Sequence, residues 1–163
     1  MPHSVYYFME MIERGVWDKT IFVNSAEHII NAALVGHEDN KDRSYLVEDR
    51  LAFNEYSHEF VHEEFTLGFD GTGPGFYVNI RDNADIHGPG RGMGHSATMM
   101  DDADPCFAKV IIGEETMQLL KEVSLGDAAK KKSGSDDAVV NSYIEKAIII
   151  HIPDERLKKI KMK

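Results

Sequence analysis

The chain has 163 residues, of which 42% are hydrophobic and 28% charged, and its formal net charge is −10 with histidine neutral. This length and composition predict a single globular domain over residues 1–163, large enough to bury a core. The acidic balance argues against a nucleic-acid partner, because phosphate binding needs clustered lysine and arginine. No apolar run approaches the roughly 18 residues of a membrane span, and the N-terminus has no signal-peptide pattern.

The first predicted element is a helix over about 4–14. Ser4 is a favourable N-cap, apolar residues follow at helical spacing, and Gly15 ends the pattern. A second helix is expected over 114–123, where acidic residues at the start suit the helix dipole. Short apolar or β-branched runs predict strands at 21–23, 29–35, 66–69, 76–80, 107–112 and 143–152. A further strand is predicted to begin within 51–56.

The connecting segments are polar or rich in glycine. Residues 36–49 and 126–137 predict surface loops, and residues 84–103 predict a long irregular loop of the kind that often carries function. About 154–163 form a basic tail. The only cysteine, Cys106, excludes an intrachain disulfide, so the cytosol or another soluble compartment is allowed, and its expected role is that of a small buried hydrophobe.

One motif points to metal chemistry. His58, Glu59 and His62 match H-E-x-x-H, which binds zinc when a helix places both histidines on one face. The flanking residues predict loop and strand, and in an extended chain the two histidines would be roughly 13 Å apart. We therefore expect a solvated strand edge rather than a shared zinc ion, and a zinc hydrolase is kept only as a remote alternative.

The stretch 66–83 predicts a strand, a wide turn and a second strand. The turn holds Gly71, Gly73, Pro74 and Gly75, and the alternating aromatic run at 76–80 suits a half-buried strand. Such a turn leaves room for another backbone or a ligand to approach. The residues alone do not indicate a reaction.

Three blocks of the chain, in order, resemble the cyclophilins, a family of peptidyl-prolyl cis-trans isomerases. The first contains Phe8, Gly15, Trp17 and Phe22, the second is Gly-Phe-Tyr-Val at 75–78, and the third is CFAKVIIGEETM at 106–117. The resemblance implies a mainly β fold, an antiparallel barrel with two capping helices. The family has two strands before its first helix. The barrel of this chain is therefore expected to be closed, or to be open because those two strands are missing.

The resemblance also implies a proline-binding groove, with changes at its polar positions. Asn24 stands where the family has its catalytic Arg, and Ala32 and Gly75 stand where it has Gln. An apolar floor is implied at Ile29, Tyr77 and Phe107. The candidates for a relocated cation are Arg81 and Arg91, and the groove His of the family falls near Asp104, with His87 and His95 as alternatives in the loop.

The expected function is therefore binding of an extended proline-containing peptide or protein partner, with weak or lost isomerase activity. An active isomerase that uses a relocated arginine is the alternative. Rotation about the peptide bond needs no nucleophile, so we expect no cofactor and no metal. If the barrel is open beside the last strand, another chain or the C-terminal tail is expected to pair with 143–152.

Overall fold

A computed structural model describes residues 1–47, 50–89, 103–133 and 142–156. The elements in chain order are α1 (Pro2–Glu13), β1 (Thr20–Ala26), β2 (Ile29–Gly36), a 3-10 turn (Ser44–Leu46), β3 (Thr66–Phe69), β4 (Phe76–Asn79), α2 (Ala84–His87), β5 (Cys106–Lys109), α3 (Glu114–Ser133) and β6 (Tyr143–Ile144).

The strands form one six-stranded sheet in the order β5-β3-β4-β2-β1-β6, and all its pairs are antiparallel. The mainly β, antiparallel prediction is confirmed, together with helices at the two predicted places. The sheet is not closed into a barrel: β5 and β6 lie at its two ends, each with one strand neighbour. None of the described helices is both long enough and apolar enough to cross a membrane.

One face of the sheet carries the hydrophobic core. Phe76 and Val78 alternate with Tyr77 along β4 and point to this face, where they join Trp17 and Phe107 in one buried cluster. Helix α1 covers the face: the Phe8 ring lies 5.2 Å from that of Phe76 and 4.9 Å from that of Phe107. Phe8, Trp17, Phe76 and Phe107, four of the aromatic residues in the matching blocks, therefore meet in the core.

The start of α1 differs from the prediction. The helix begins at Pro2, a residue favoured in the first turn, so Ser4 lies inside the helix and is fully buried. Its backbone N–H and hydroxyl both donate to the Glu55 carboxylate, at 2.7 and 2.8 Å. The cap thus comes from a residue 51 positions away, which no local pattern indicates.

Two other predicted elements were also wrong. No strand begins within 51–56, because this segment crosses the molecule to bond elsewhere, with Leu51 donating to the Thr72 carbonyl and Glu55 accepting from α1. Helix α3 continues to Ser133, past the predicted end at 123, since the run of alanine and lysine after Gly126 favours helix. Residues 134–141 lie outside the described residues.

The predicted last strand is the largest error in the fold. Only Tyr143–Ile144 pair as β6, and residues 145–152 contain no regular strand. Ile148, Ile149 and Ile150 are 61%, 42% and 66% exposed. The long apolar run predicts a buried strand only if neighbours lie on both sides, and β1 is the single neighbour described.

Candidate functional site

Two of the predicted groove positions come together at one cleft. Ala32 and Gly75 line a space of about 260 Å³ between β2 and the turn before β4, with Val23 of β1 and Asn31 beside them. The Asn31 Oδ1 atom is buried and makes no hydrogen bond within the described residues. This atom is covered from solvent, so a ligand in the cleft does not reach it.

The other predicted positions are distributed differently. Phe107 lies in the core, its ring 4.3 Å from that of Phe69, whereas Tyr77 and Ile29 face the opposite side of the sheet. The Asn24 backbone lies in β1 where the pairing register with β2 shifts. Arg81 is exposed and donates from Nε to Asn83, and it is not among the residues that line the cleft.

Arg91 and His95 lie outside the described residues. His87 and Asp104 lie on either side of residues 90–102, which the structure does not describe. These two residues are joined twice: the Asp104 backbone N–H donates to the His87 carbonyl at 3.1 Å, and their side chains meet at 2.8 Å.

The second face of the sheet holds a buried polar network centred on Asp104. Its Oδ2 atom lies 2.8 Å from His87 Nδ1 and 3.2 Å from the Tyr77 hydroxyl, and the far side of the His87 ring, at Nε2, lies 3.2 Å from His28 Nε2. A carboxylate only accepts, so His87 Nδ1 and the Tyr77 hydroxyl are the donors. The two Nε2 atoms of His87 and His28 share one proton, and whichever ring carries it donates to the other.

Buried asparagines hold the surrounding backbone. Asn83 donates to the His28 carbonyl at 2.9 Å and to Asn79 Oδ1 at 2.7 Å, and Asn79 in turn donates to the Thr66 hydroxyl at 3.0 Å. These bonds tie the segment after β4 to β2 and β3. The positions of His28 and His87 are therefore fixed from several elements rather than from one loop.

The Tyr77 side chain joins this network by packing against Gly68, which has no side chain. Tyr77 is 1% exposed, and it faces Gly68 on the neighbouring strand. A Cβ atom at Gly68 would lie 2.6 Å from the Tyr77 ring. Burial, followed by the charge of Asp104, raises the pKa of the Tyr77 hydroxyl, so the phenol remains a neutral donor.

His62 is buried without a hydrogen bond. It is fully inaccessible to solvent, its ring lies 6.1 Å from that of Tyr77 and 5.6 Å from that of His87, and neither ring nitrogen has a partner within the described residues. Burial, and then the proximity of His87, lower its pKa to about 4. Burial similarly lowers the pKa of the half-buried His28.

The H-E-x-x-H segment is not helical, but it is not the predicted strand edge either, because residues 58–62 lie in a turn and irregular backbone. His58 is exposed and packs edge-on against Tyr56, whereas His62 is buried, so the expectation that both are solvated was wrong for His62. Its burial results from contacts with Tyr77 and His87, which the local pattern does not predict. Among the residues that the structure describes, no three His, Cys, Asp or Glu side chains are arranged to hold a metal ion.

The buried network and the cleft therefore have different chemical roles. The network offers a continuous hydrogen-bonded path from Asp104 to His28, but its histidines do not line the clefts described for this part of the chain. Its role is to join elements, whereas the cleft beside Gly75 can accept a ligand. Neither a family model nor a curated protein matches this chain.

Proposed function

We propose that this chain is a cyclophilin-like domain that binds an extended proline-containing peptide, or such a segment of a protein partner, and is a weak or inactive prolyl isomerase. The order of the elements supports the proposal. A helix, three strands, a glycine-rich turn, a fourth strand and, after the short helix α2, a strand leading into a helix follow one another in the order that the resemblance implies.

The cleft beside Gly75 is the observation that carries the binding proposal. It brings together Ala32 and Gly75, two positions of the implied groove, and Val23 and Phe76 complete its lining. Alanine and glycine have the smallest side chains, which leaves room for an extended peptide to lie close to the backbone.

The proposed weak catalysis follows from the loss of the family's Arg and Gln side chains at the implied groove. Asn24 is shorter than Arg and uncharged, and a neutral hydrogen bond is about half as strong as a charge-assisted one. Losing one preorganised donor typically costs on the order of 10²–10³ in rate. Tyr77, an implied floor residue, is buried and donates its hydroxyl to Asp104, which leaves little of it for a substrate.

Titration with a proline-containing peptide tests binding. We expect NMR shifts of the backbone amides of Val23, Ala32 and Gly75, and weaker affinity in Gly75→Val, because a branched side chain there would occupy the cleft. Gln118→Val, on the exposed side of α3, is the matched control. Unchanged spectra at saturating peptide, or shifts confined to a surface away from this cleft, would overturn the binding proposal.

Restoring the missing groups tests the catalytic part. In the double variant Asn24→Arg with Gly75→Gln we expect at least tenfold faster isomerisation of a test peptide, inhibited by cyclosporin. A Cβ atom fits at Gly75, where it would lie 3.8 Å from its nearest neighbour, the Ala32 carbonyl. Gln118→Arg controls for the added charge.

The alternative function, an active isomerase that uses a relocated arginine, predicts different results in the isomerase assay. If the wild type is already fast and Arg81→Ala or Arg91→Ala abolishes its activity, the relocated-arginine isomerase is correct and the weak-isomerase proposal fails. Zinc bound at one equivalent to the purified protein, and lost in His58→Ala, would instead support the remote hydrolase.

A further inference from the structure

The two free edges of the sheet carry exposed apolar residues. Within the part of the chain that the structure describes, β5 and β6 each have one strand neighbour, so the other side of each strand has backbone N–H and C=O groups without a strand partner there. Open edges of this kind accept a further strand from another chain. The question is which strand the surfaces beside these edges would fit.

The β5 edge lies between two clefts. One, of about 530 Å³, separates this edge from α1 and is lined by Val5, Tyr6 and Met9. The other, of about 350 Å³, runs along the whole of β5. Phe60, which is 52% exposed, and Phe107 line both clefts. An extended chain laid along β5 would therefore find apolar space for side chains on both of its sides.

The other edge supplies such a chain. After β6 the backbone is held at one point, where the Ala147 N–H donates to the Asp18 carboxylate at 2.9 Å. Three exposed isoleucines follow at 148–150. Consecutive residues of an extended chain point to opposite sides, so this run would present isoleucine to both clefts at once. Isoleucine also favours a strand.

Charge favours the same pairing. The whole chain carries −10, so two copies repel at most of their surfaces. Residues 146–152, KAIIIHI, contain a lysine and no acidic residue. The cleft along β5 is lined by Glu59, by Glu63 and by Lys109, which pairs with Glu63 at 2.7 Å. Glu59 is therefore the acidic group of this rim that the lysine of the isoleucine segment suits.

We propose that residues 145–152 of one copy add as a strand to β5 of a second copy, with isoleucine side chains in the clefts beside Phe60 and Phe107. Donor and acceptor are different surfaces, so the contact is head-to-tail and each copy can bind two neighbours. The buried surface is limited to one strand and its clefts, so association depends on protein concentration. This contact is independent of the proposed peptide cleft.

Light scattering and a mixing experiment test the proposal. We expect the wild type to increase in mass with concentration, while Ile150→Glu, which blocks the donor, and Phe60→Glu, which blocks the acceptor, each remain monomeric. An equimolar mixture of the two variants should form a one-to-one complex that grows no further, because one intact donor meets one intact acceptor. Leu119→Glu, at an exposed apolar residue of α3, should associate like the wild type.

Three outcomes would overturn the proposal. The wild type remains monomeric over a hundredfold range of concentration, or the mixed variants remain monomeric, or Phe60→Glu alone still dimerises. The last result would mean that residues 145–152 pair with themselves. All three substituted side chains are more than half exposed, so unchanged circular dichroism and melting temperature confirm that each variant folds.

Discussion

At the scale of single residues, His62 is the most unusual side chain in the molecule. A buried polar group without a hydrogen bond costs free energy, and a buried charge costs more. His62 avoids the charge because burial lowers its pKa to about 4. The acidic groups that raise this pKa, Asp104 and Asp82, do not outweigh burial and the proximity of His87.

This shift predicts that folding stability depends on pH. The unfolded chain binds a proton at His62 near pH 6.5 and the folded chain only near 4, so the contribution is complete above 6.5 and is lost as pH falls towards 4. The free energy of unfolding that is lost when His62 becomes protonated is at most roughly 3 kcal/mol. The lowered pKa of His28 acts in the same direction.

Denaturant unfolding at pH 7 and about 5 measures this effect. His62→Phe keeps an aromatic ring beside Tyr77 and removes both unpaired nitrogens, so we expect it to be at least as stable as the wild type at pH 7 and to lose less stability in acid. His58→Phe, at an exposed histidine of the same motif, should follow the wild-type curve. Parallel curves for wild type and His62→Phe would contradict the prediction.

Gly68 is the second residue with a specific steric role. Its missing side chain lets the Tyr77 ring lie against β3, where the hydroxyl reaches Asp104. We expect Gly68→Ala to destabilise the fold by about 1–3 kcal/mol, because the added methyl overlaps a buried ring that cannot move without breaking that hydrogen bond. Gly75→Ala meets only an ordinary contact at 3.8 Å and should change stability little. Urea midpoints of the two variants compare them directly.

At the scale of elements, the N-terminal helix depends on a distant carboxylate. Glu55 accepts from the backbone N–H of His3 and of Ser4 and from the Ser4 hydroxyl. Burial raises its pKa, but these hydrogen bonds outweigh burial and the net shift is downward. A negative charge at this end also suits the helix dipole.

We expect Glu55→Ala to lower the free energy of unfolding by about 0.5–2 kcal/mol, as loss of a helix cap does. The difference should be present at neutral pH and disappear in acid, because the Glu55 contribution is lost as pH falls through its lowered pKa. Glu59→Ala, at an exposed carboxylate nearby, is the control. Equal urea midpoints for the two variants at pH 7 would show that Glu55 does not cap α1.

At the scale of the whole molecule, the sheet uses its two faces differently. One face packs aromatic residues under α1, and the other buries a polar network that joins His28, Asp104 and the segment after β4. The polar face holds the ends of the long loop together, while the two free edges of the sheet remain open. Adding a strand from a second copy at an edge of the sheet would therefore leave the packing of both faces unchanged.

The sequence by itself determined the local elements. Helix α1, the hairpin of β1 and β2, strands β3 and β4 and the start of α3 follow from hydrophobic spacing, β-branched runs and glycine turns, which act between near neighbours. Cys106 was also predicted correctly as a buried residue at the start of a strand.

Only the tertiary structure decided which polar residues are buried together. His28, His62, His87 and Asp104 come from four separate segments, and no spacing in the chain predicts that they meet. It also decided that residues 145–152 are exposed, because an apolar run is buried only where another element covers it. Contacts between distant segments, such as Glu55 with Ser4, depend on how the sheet folds over α1, and no local pattern contains that information.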